Sequence, residues 1–303
     1  MRPTYHEGEL AVQERAGVRE MAARVGRSIR PVIPPAAREF LLDQPMVIVA
    51  TADARGCVWA SLLWGAPGFA RAEDERTLRI DAKPASGDPL DDNLEVNDQI
   101  GVLVIEPATR RRMRLNGAAE RRVDGSIYVR AEQVYSNCPK YIQARTWQRS
   151  IDGGEELAEK IARRAPSLDD ERRRWITRAD TFFIATRHAE MGADASHRRG
   201  IPGFVRVENE RLLTWGDYSG NQMFQTLGNI AENPRAGLLF IDFERGSTLQ
   251  LTGAAQIVWD AARAAEFTGA ERVMEFEVEE VVEITNATDL RWRLVNYSPF
   301  NPA

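Results

Sequence analysis

The chain repeats itself. A shift of 135 residues lays Ala50-Thr51 on Ala185-Thr186, Ala60-Ser61 on Ala195-Ser196, and Pro67-Gly68-Phe69 on Pro202-Gly203-Phe204. A shift of 136 then lays Asp81 on Asp217, Asn93 on Asn229, Asn97 on Asn233, and Gly117-Ala118-Ala119 on Gly253-Ala254-Ala255. Register that holds over roughly seventy residues with one single-residue gap marks a duplicated structural unit. Whatever that unit folds into, the molecule contains it twice.

The unit is easiest to read from Asp217 to Ala255. Asp217-Tyr218-Ser219-Gly220-Asn221 is a turn of hydroxyls, amides and a glycine. Such a turn aims backbone N–H groups and short donors at one spot, which suits an anionic ligand. Helical spacing runs from Asn221 to Asn233, with Met223, Leu227 and Ile230 on one face, and Asn233-Pro234 stops it. Gly237–Ile241 and Ser247–Thr252 have strand length and strand composition. In the first copy, Met46–Ala50, Cys57–Trp64, Thr77–Ile80, Ile100–Ile105, Met113–Leu115 and Ser126–Val134 read as strands, and Lys83–Asp92 as a polar loop. The triplet Arg110-Arg111-Arg112 reads as a solvated hairpin tip. In the second copy, Thr181–Thr186, Ala195–Gly200, Arg211–Trp215 and Val273–Ile284 are the matching strands, and Leu290–Leu294 belongs to a tail. The expected fold is mainly β with peripheral helices (α+β). It has an N-terminal helical segment (1–42), a first unit with a C-terminal helix (43–150), a helical connector (151–178) and a second unit (179–303).

Composition excludes several classes. At 43% apolar and 28% charged, the 303-residue chain is an ordinary globular one with material for two cores. A net charge of −5 argues against nucleic acid and anionic membranes as partners. No apolar run is long enough to span a bilayer, and the start MRPTYHEGEL lacks an apolar signal core. Cys57 and Cys138 do not make a disulfide framework, so a cytoplasmic location is the expectation. No G-x-G-x-x-G follows a strand, so a Rossmann nicotinamide unit is not expected.

The two copies differ where it matters. Ala195-Ser196-His197-Arg198-Arg199-Gly200 replaces the apolar Ala60–Gly65. The copy with polar residues on this strand is the better ligand face, with Ser196 and Arg198 on one side and His197 and Arg199 on the other. A second anion site is readable at Ser136-Asn137-Cys138-Pro139-Lys140, a capped helix start with Lys140 beside it; a helix that is merely well capped reads the same way. Cys138 has no His or Asp partner near it in sequence and is taken as a bystander.

DYSGNQMFQTLGNIAENPRAGLLFIDF with TLQLTGAA, and YSNCPKYIQ at 135–143, resemble the pyridoxamine 5'-phosphate oxidase-like flavin-binding split β-barrels. The resemblance covers about residues 40–145 and 178–290 of the chain. It implies FMN in grooves between two barrels that members bring together as a dimer, here as an intrachain pseudo-dimer. It also implies that Ser196, Arg198, Asp217, Tyr218, Ser219 and Asn221 hold phosphate and ribityl groups, with His197, Gly220 and Tyr141 at the same site and Gln250 nearest the ring edge. The sequence departs from the family where Asn221 and Gln222 replace basic residues after the turn. Phosphate charge is then expected to be met by Arg198 or Arg199, next by Lys140, and last by Lys83. The C-terminal Arg-Leu-x-Pro segment of the oxidases has no clear counterpart, which argues against vitamin B6 phosphate oxidation. The implied function is an FMN-dependent oxidoreductase with a small-molecule substrate or reductant, and a homodimer of two-barrel chains is a further expectation. The alternatives are a deazaflavin cofactor, or a non-catalytic flavin- or haem-binding protein using His188 or His197, with no other metal site.

Overall fold

The computed structural model describes residues 3–137, 140–149 and 160–301. The chain opens with helices α1 (Glu7–Arg15), α2 (Arg19–Gly26) and α3 (Pro35–Leu42). The first unit follows as β1 (Met46–Ala52), β2 (Val58–Trp64), β3 (Ala70–Ala72), β4 (Thr77–Ile80), α4 (Leu90–Val96), β5 (Gln99–Glu106), β6 (Arg111–Arg121) and β7 (Ile127–Ser136). Strands β8 (Ala144–Arg149) and β9 (Ala162–Ala165) and helix α5 (Asp170–Arg178) connect it to the second. That unit runs β10 (Thr181–His188), β11 (Gly192–Arg199), β12 (Val205–Val207), β13 (Leu212–Asp217), α6 (Gln225–Glu232), β14 (Arg235–Ile241), β15 (Thr248–Val258), α7 (Ala261–Ala265), β16 (Arg272–Ile284) and β17 (Leu290–Asn296).

The duplication holds in three dimensions. The first sheet has the order β2-β1-β5-β6-β7-β4-β3, and the second the same order, β11-β10-β14-β15-β16-β13-β12, with β9 added against β16. Each sheet carries a register shift at the same place, before Gly117 and before Gly253. Asn93 Nδ2 donates to Thr51 Oγ1 at 3.0 Å, and Asn229 Nδ2 to Thr186 Oγ1 at 2.9 Å, so each helix hangs from its sheet by the same bond.

The long apolar runs of β1 and β10 are explained by burial on both faces. Val47 and Val49 enter the core of the first sheet, while Met46, Ile48 and Ala50 enter a separate seam. Phe182 and Ile184 enter the second core, and Phe183 and Ala185 the seam. Each large side chain so buried contributes about 1.5–3 kcal/mol. At the seam the backbones approach closely. A Cβ on Gly101 would stand 2.7 Å from the Asp194 Cα, and one on Gly237 would stand 2.8 Å from the Trp59 Cα.

Several expectations are corrected. Among the described residues, Ala144–Arg149 is a strand where the first unit's C-terminal helix is expected, and in the expected helical connector (151–178) Ala162–Ala165 is a strand and only Asp170–Arg178 is helical. No helix starts among the described residues of 135–143, and Lys140-Tyr141 is a turn that leads into β8. Tail residues Leu290–Asn296 form β17, which pairs with β8 so that Trp292 faces Trp147. Charged side chains hid both strands, because a two-stranded ribbon at the surface carries little apolar alternation. Cys138 and Gly153-Gly154 lie outside the described residues, and Cys57 is free and buried. The N-terminal helical segment is helical as expected, with α1 and α2 separated by a turn at Gly17, whose φ is +69°.

Candidate functional site

β13 ends at Asp217, and the chain then turns through Tyr218–Phe224 before α6 begins at Gln225. The helix therefore starts four residues later than its apolar spacing suggests. Gln222 and Phe224 have φ of 61° and 60°, which a right-handed helix cannot contain. No side chain caps α6. Its first-turn N–H groups lie at one end of a groove that Gln225, Thr226 and Leu227 help to line, with the positive end of the helix dipole.

The opposite walls come from both copies. β11 supplies Ser196, His197, Arg198 and Arg199, and β6 of the first copy supplies Arg112 and Arg114. Arg114 forms a buried ion pair with Asp194 at 3.0 Å, and Asp194 also accepts from Tyr135 Oη at 3.1 Å. Burial opposes the Arg114 charge, but Asp194 outweighs it and holds that pKa up; burial raises the Tyr135 pKa well above its usual value.

Arg198 and Arg199 have no such partner. Arg198 donates to Ser196 Oγ at 2.6 Å and to the His197 carbonyl at 3.2 Å. Arg199 donates to the carbonyls of His197 at 3.2 Å and Lys140 at 3.1 Å, and lies 4.4 Å over the Tyr141 ring. Among the described residues, no carboxylate closes an ion pair with either guanidinium. Burial, and then repulsion from Arg112 and Arg198, pushes the Arg199 pKa well down; burial lowers that of Arg198 as well. The groove thus holds partly buried positive charge in excess, and an anion is what would compensate it.

His197 is buried beside these cations, which with burial depress its pKa far below the usual value. Its Nδ1 lies 3.2 Å from Arg112 Nη1. A guanidinium can only donate, so Nδ1 accepts and the imidazole proton sits on Nε2. Asp217 pairs with Arg272 at 3.3 Å. Gln225, only 6% exposed, leaves its Nε2 without a hydrogen-bond partner.

The structure brings together Ser196, His197, Arg198, Arg199, Asp217, Tyr218, Gly220, Asn221 and Tyr141 along one groove. Four expected residues fall elsewhere. Ser219 lines an adjoining pocket with Arg272 and Trp259, and only its carbonyl reaches Tyr141, whose hydroxyl donates to it at 3.1 Å. Lys140 contributes its carbonyl, while its ammonium lies 5.7 Å over Phe300. Lys83 lies at the β6–β7 turn, beside Gly125. Gln250 is not in this groove at all. It is buried in the repeat-related one, where its Nε2 donates to the Ala60 carbonyl at 2.9 Å.

Arg112 and Arg114 are the residues that sequence reasoning misplaced or missed. Of the triplet, Arg110 lies in the hairpin turn and Arg111 is exposed, as expected, but Arg112 lies within β6 and lines the groove. The signal was in the repeat: a shift of 136 carries Gln250 onto Arg114, and a two-fold arrangement builds each groove from β11 of one copy and β6 of the other.

The other histidines do not face the groove. His188 and His6 stack with ring centroids 4.0 Å apart, and both reach Glu232. Their ligand atoms and that carboxylate lie within 4.8 Å of one another. His188 Nδ1, however, accepts from the backbone N–H groups of Glu190 and Met191 at 3.1 and 3.0 Å. Its proton therefore sits on Nε2, the atom a metal would need bare. The trio is a clasp between the N-terminal segment and the second unit.

Among the described residues, no helix is long and apolar enough to cross a membrane. A comparison with characterised proteins gives no match. Similar solved structures include HupZ from Group A Streptococcus, at 15% identity over 43% of this chain and 98% of that one, with a TM-score of 0.31. They also include a protein of the pyridoxinephosphate oxidase family related to general stress protein 26, from Clostridium acetobutylicum, at 11% identity over 41% and 92%, TM-score 0.32. A third is the FAD binding protein from Mycobacterium smegmatis, at 15% identity over 40% and 98%, TM-score 0.29. The family model described as pyridoxamine 5'-phosphate oxidase matches residues 33–154 and again 168–285, the two copies already described. The chain therefore belongs to the pyridoxamine 5'-phosphate oxidase family, as a tandem member with two of its units in one polypeptide.

Proposed function

We propose that the chain is a flavoprotein that binds FMN in the groove between β11, β6 and the first turn of α6, and serves as an FMN-dependent oxidoreductase on a small molecule. The observation that carries this is the pair of half-buried guanidiniums, Arg198 and Arg199, with no carboxylate among the described residues to neutralise them. A phosphate ester compensates such charge, and a helix N-terminus with free N–H groups completes its coordination. The enclosed part of the groove is about 100 Å³, a few waters' worth of space. That suits a phosphoryl group, and leaves the rings of a flavin to the open face beside Tyr141 and Tyr218, whose centroids are 6.4 Å apart.

When bound, the flavin would supply the hydride or electron chemistry, and the protein would position it. Neutral His197, with its proton on Nε2, is a hydrogen-bond donor at the wall. Tyr141, fixed by its bond to the Ser219 carbonyl and by Arg199 against its ring, is a flat surface able to exclude water from one side. Gln225 Nε2 is a further donor awaiting an acceptor. The reading is tested by denaturing purified protein and identifying any released chromophore by mass. FMN is the expected result; FAD, a deazaflavin or haem would replace the cofactor named here, and a colourless protein that also takes up no added FMN would end the proposal.

A further inference from the structure

Two grooves flank the seam, and the repeat relates one to the other. Where the open groove has Ser196, Arg198 and Arg199 facing Arg112 and Arg114, the other has Ser61, Leu63 and Trp64 facing Thr248 and Gln250. Trp59 is buried there against Val282, Ile284 and Ala287, and Trp64 Nε1 donates to the Ala287 carbonyl at 3.0 Å. Those two indoles close the second groove.

The polar groups left inside the closed groove converge on one carboxylate. Ser61 Oγ donates to Asp88 Oδ1 at 2.6 Å, the Leu90 N–H to the same oxygen at 2.9 Å, and Gln250 Nε2 to the other oxygen at 3.0 Å. Leu90 is the first residue of α4, so the donors are a hydroxyl, an amide and a helix N-terminus. The repeat carries this set onto Ser196, Arg114 and Thr226 in the first turn of α6, and it carries Asp88 onto Phe224. The open groove therefore has the donors, with a guanidinium in place of the amide, and lacks a carboxylate at the Asp88 position; Asp194, which pairs with Arg114 Nη1, stands instead at the strand position of Trp59 and leaves Arg114 Nη2 on Ser196. Ser196 Oγ already accepts from both Arg114 and Arg198, so its own proton must point to a third atom. For Ser61, that third atom is on Asp88.

We infer that Asp88 is a resident anion: in the closed groove it occupies the seat that an anionic group of the ligand takes in the open one, and so limits the chain to a single ligand. The inference rests on reading the open groove as an anion site. The open seat is Ser196 Oγ, Arg114 and the first turn of α6, with Arg198 holding the Ser196 hydroxyl from behind.

Inorganic phosphate, titrated calorimetrically into the full chain, is the probe. The wild type is expected to take up one phosphate per chain. Asp88→Gly should take up a second, and phosphate should raise its melting temperature more than that of the wild type. Asp88→Asn, which keeps a side chain in the seat, should take up one. A folded Asp88→Gly that still binds only one phosphate overturns the inference. If Asp88→Gly does not fold, a second pair decides: Ser196→Ala should weaken phosphate binding about tenfold, and Ser61→Ala should leave it unchanged. Equal effects of these two substitutions overturn the inference as well. One phosphate per wild-type chain without any flavin uptake supports the resident anion while ending the flavin reading.

Discussion

Leu63 and Trp64 of the first copy correspond to Arg198 and Arg199 of the second, on the same backbone. This contrast has a thermodynamic consequence. A half-buried guanidinium without a counter-ion costs some stability in the ligand-free protein and is compensated when an anion binds. Arg199→Met keeps the apolar stem and removes the charge. The ligand-free variant should melt no lower than the wild type, while its FMN affinity should fall about 10- to 100-fold, since hydrogen bonds to charged groups contribute about 1.5–3 kcal/mol. Calorimetric melting and a flavin titration read the two effects separately, and a variant that loses stability without losing affinity would assign Arg199 a packing role. A second residue-scale prediction concerns pH. Burial, aided by nearby Asp194 and Glu232, raises the Glu9 carboxyl from 4.5 to about 8. The folded state thus favours its protonated form, so this contribution to stability is present at low pH and is lost as pH rises from 4.5 towards about 8. Burial of Asp88, raised to about 6, acts in the same direction over a lower window. Glu9→Gln should flatten the upper part of the melting temperature profile and raise stability at its alkaline end.

Among the elements, α6 shows how local sequence both informs and misleads. The Asn93–Thr51 and Asn229–Thr186 bonds make the helix positions readable from the repeat alone. The start of α6 was not readable. Asn221-Gln222-Met223-Phe224 has helical spacing, and left-handed φ at two residues that are not glycine leaves no mark in composition. The apolar strands were legible because burial on two faces demands continuous Val, Ile and Leu. β8 and β17 were not, since their pairing joins residues far apart in the chain. The strand carrying Ser196–Arg199 was found by comparing the copies, whereas Arg114 required knowing that the copies exchange walls. α6 also has a structural partner in α1. A Cβ on Gly228 would stand 2.6 Å from the Glu9 Cα, so backbone and not a flexible side chain would have to give way. Gly228→Ala should lower stability by about 1–3 kcal/mol. Limited proteolysis should then release the N-terminal segment faster than in the wild type; unchanged digestion would show that the α1–α6 contact can be adjusted at little cost.

Across the whole molecule, duplication allows the two halves to diverge. Two separate identical chains would give two identical grooves. One chain with two copies can keep one groove open and pack the other with Trp59, Trp64 and Asp88 while retaining the shared apolar seam. The central claim is that the open groove is the single seat of an anionic flavin. Equilibrium dialysis of ligand-free protein against FMN tests it most directly, with the bound flavin counted per chain. One FMN per chain, abolished by the double substitution Arg198→Met and Arg199→Met, is the predicted result. Two per chain, or none, would contradict the account.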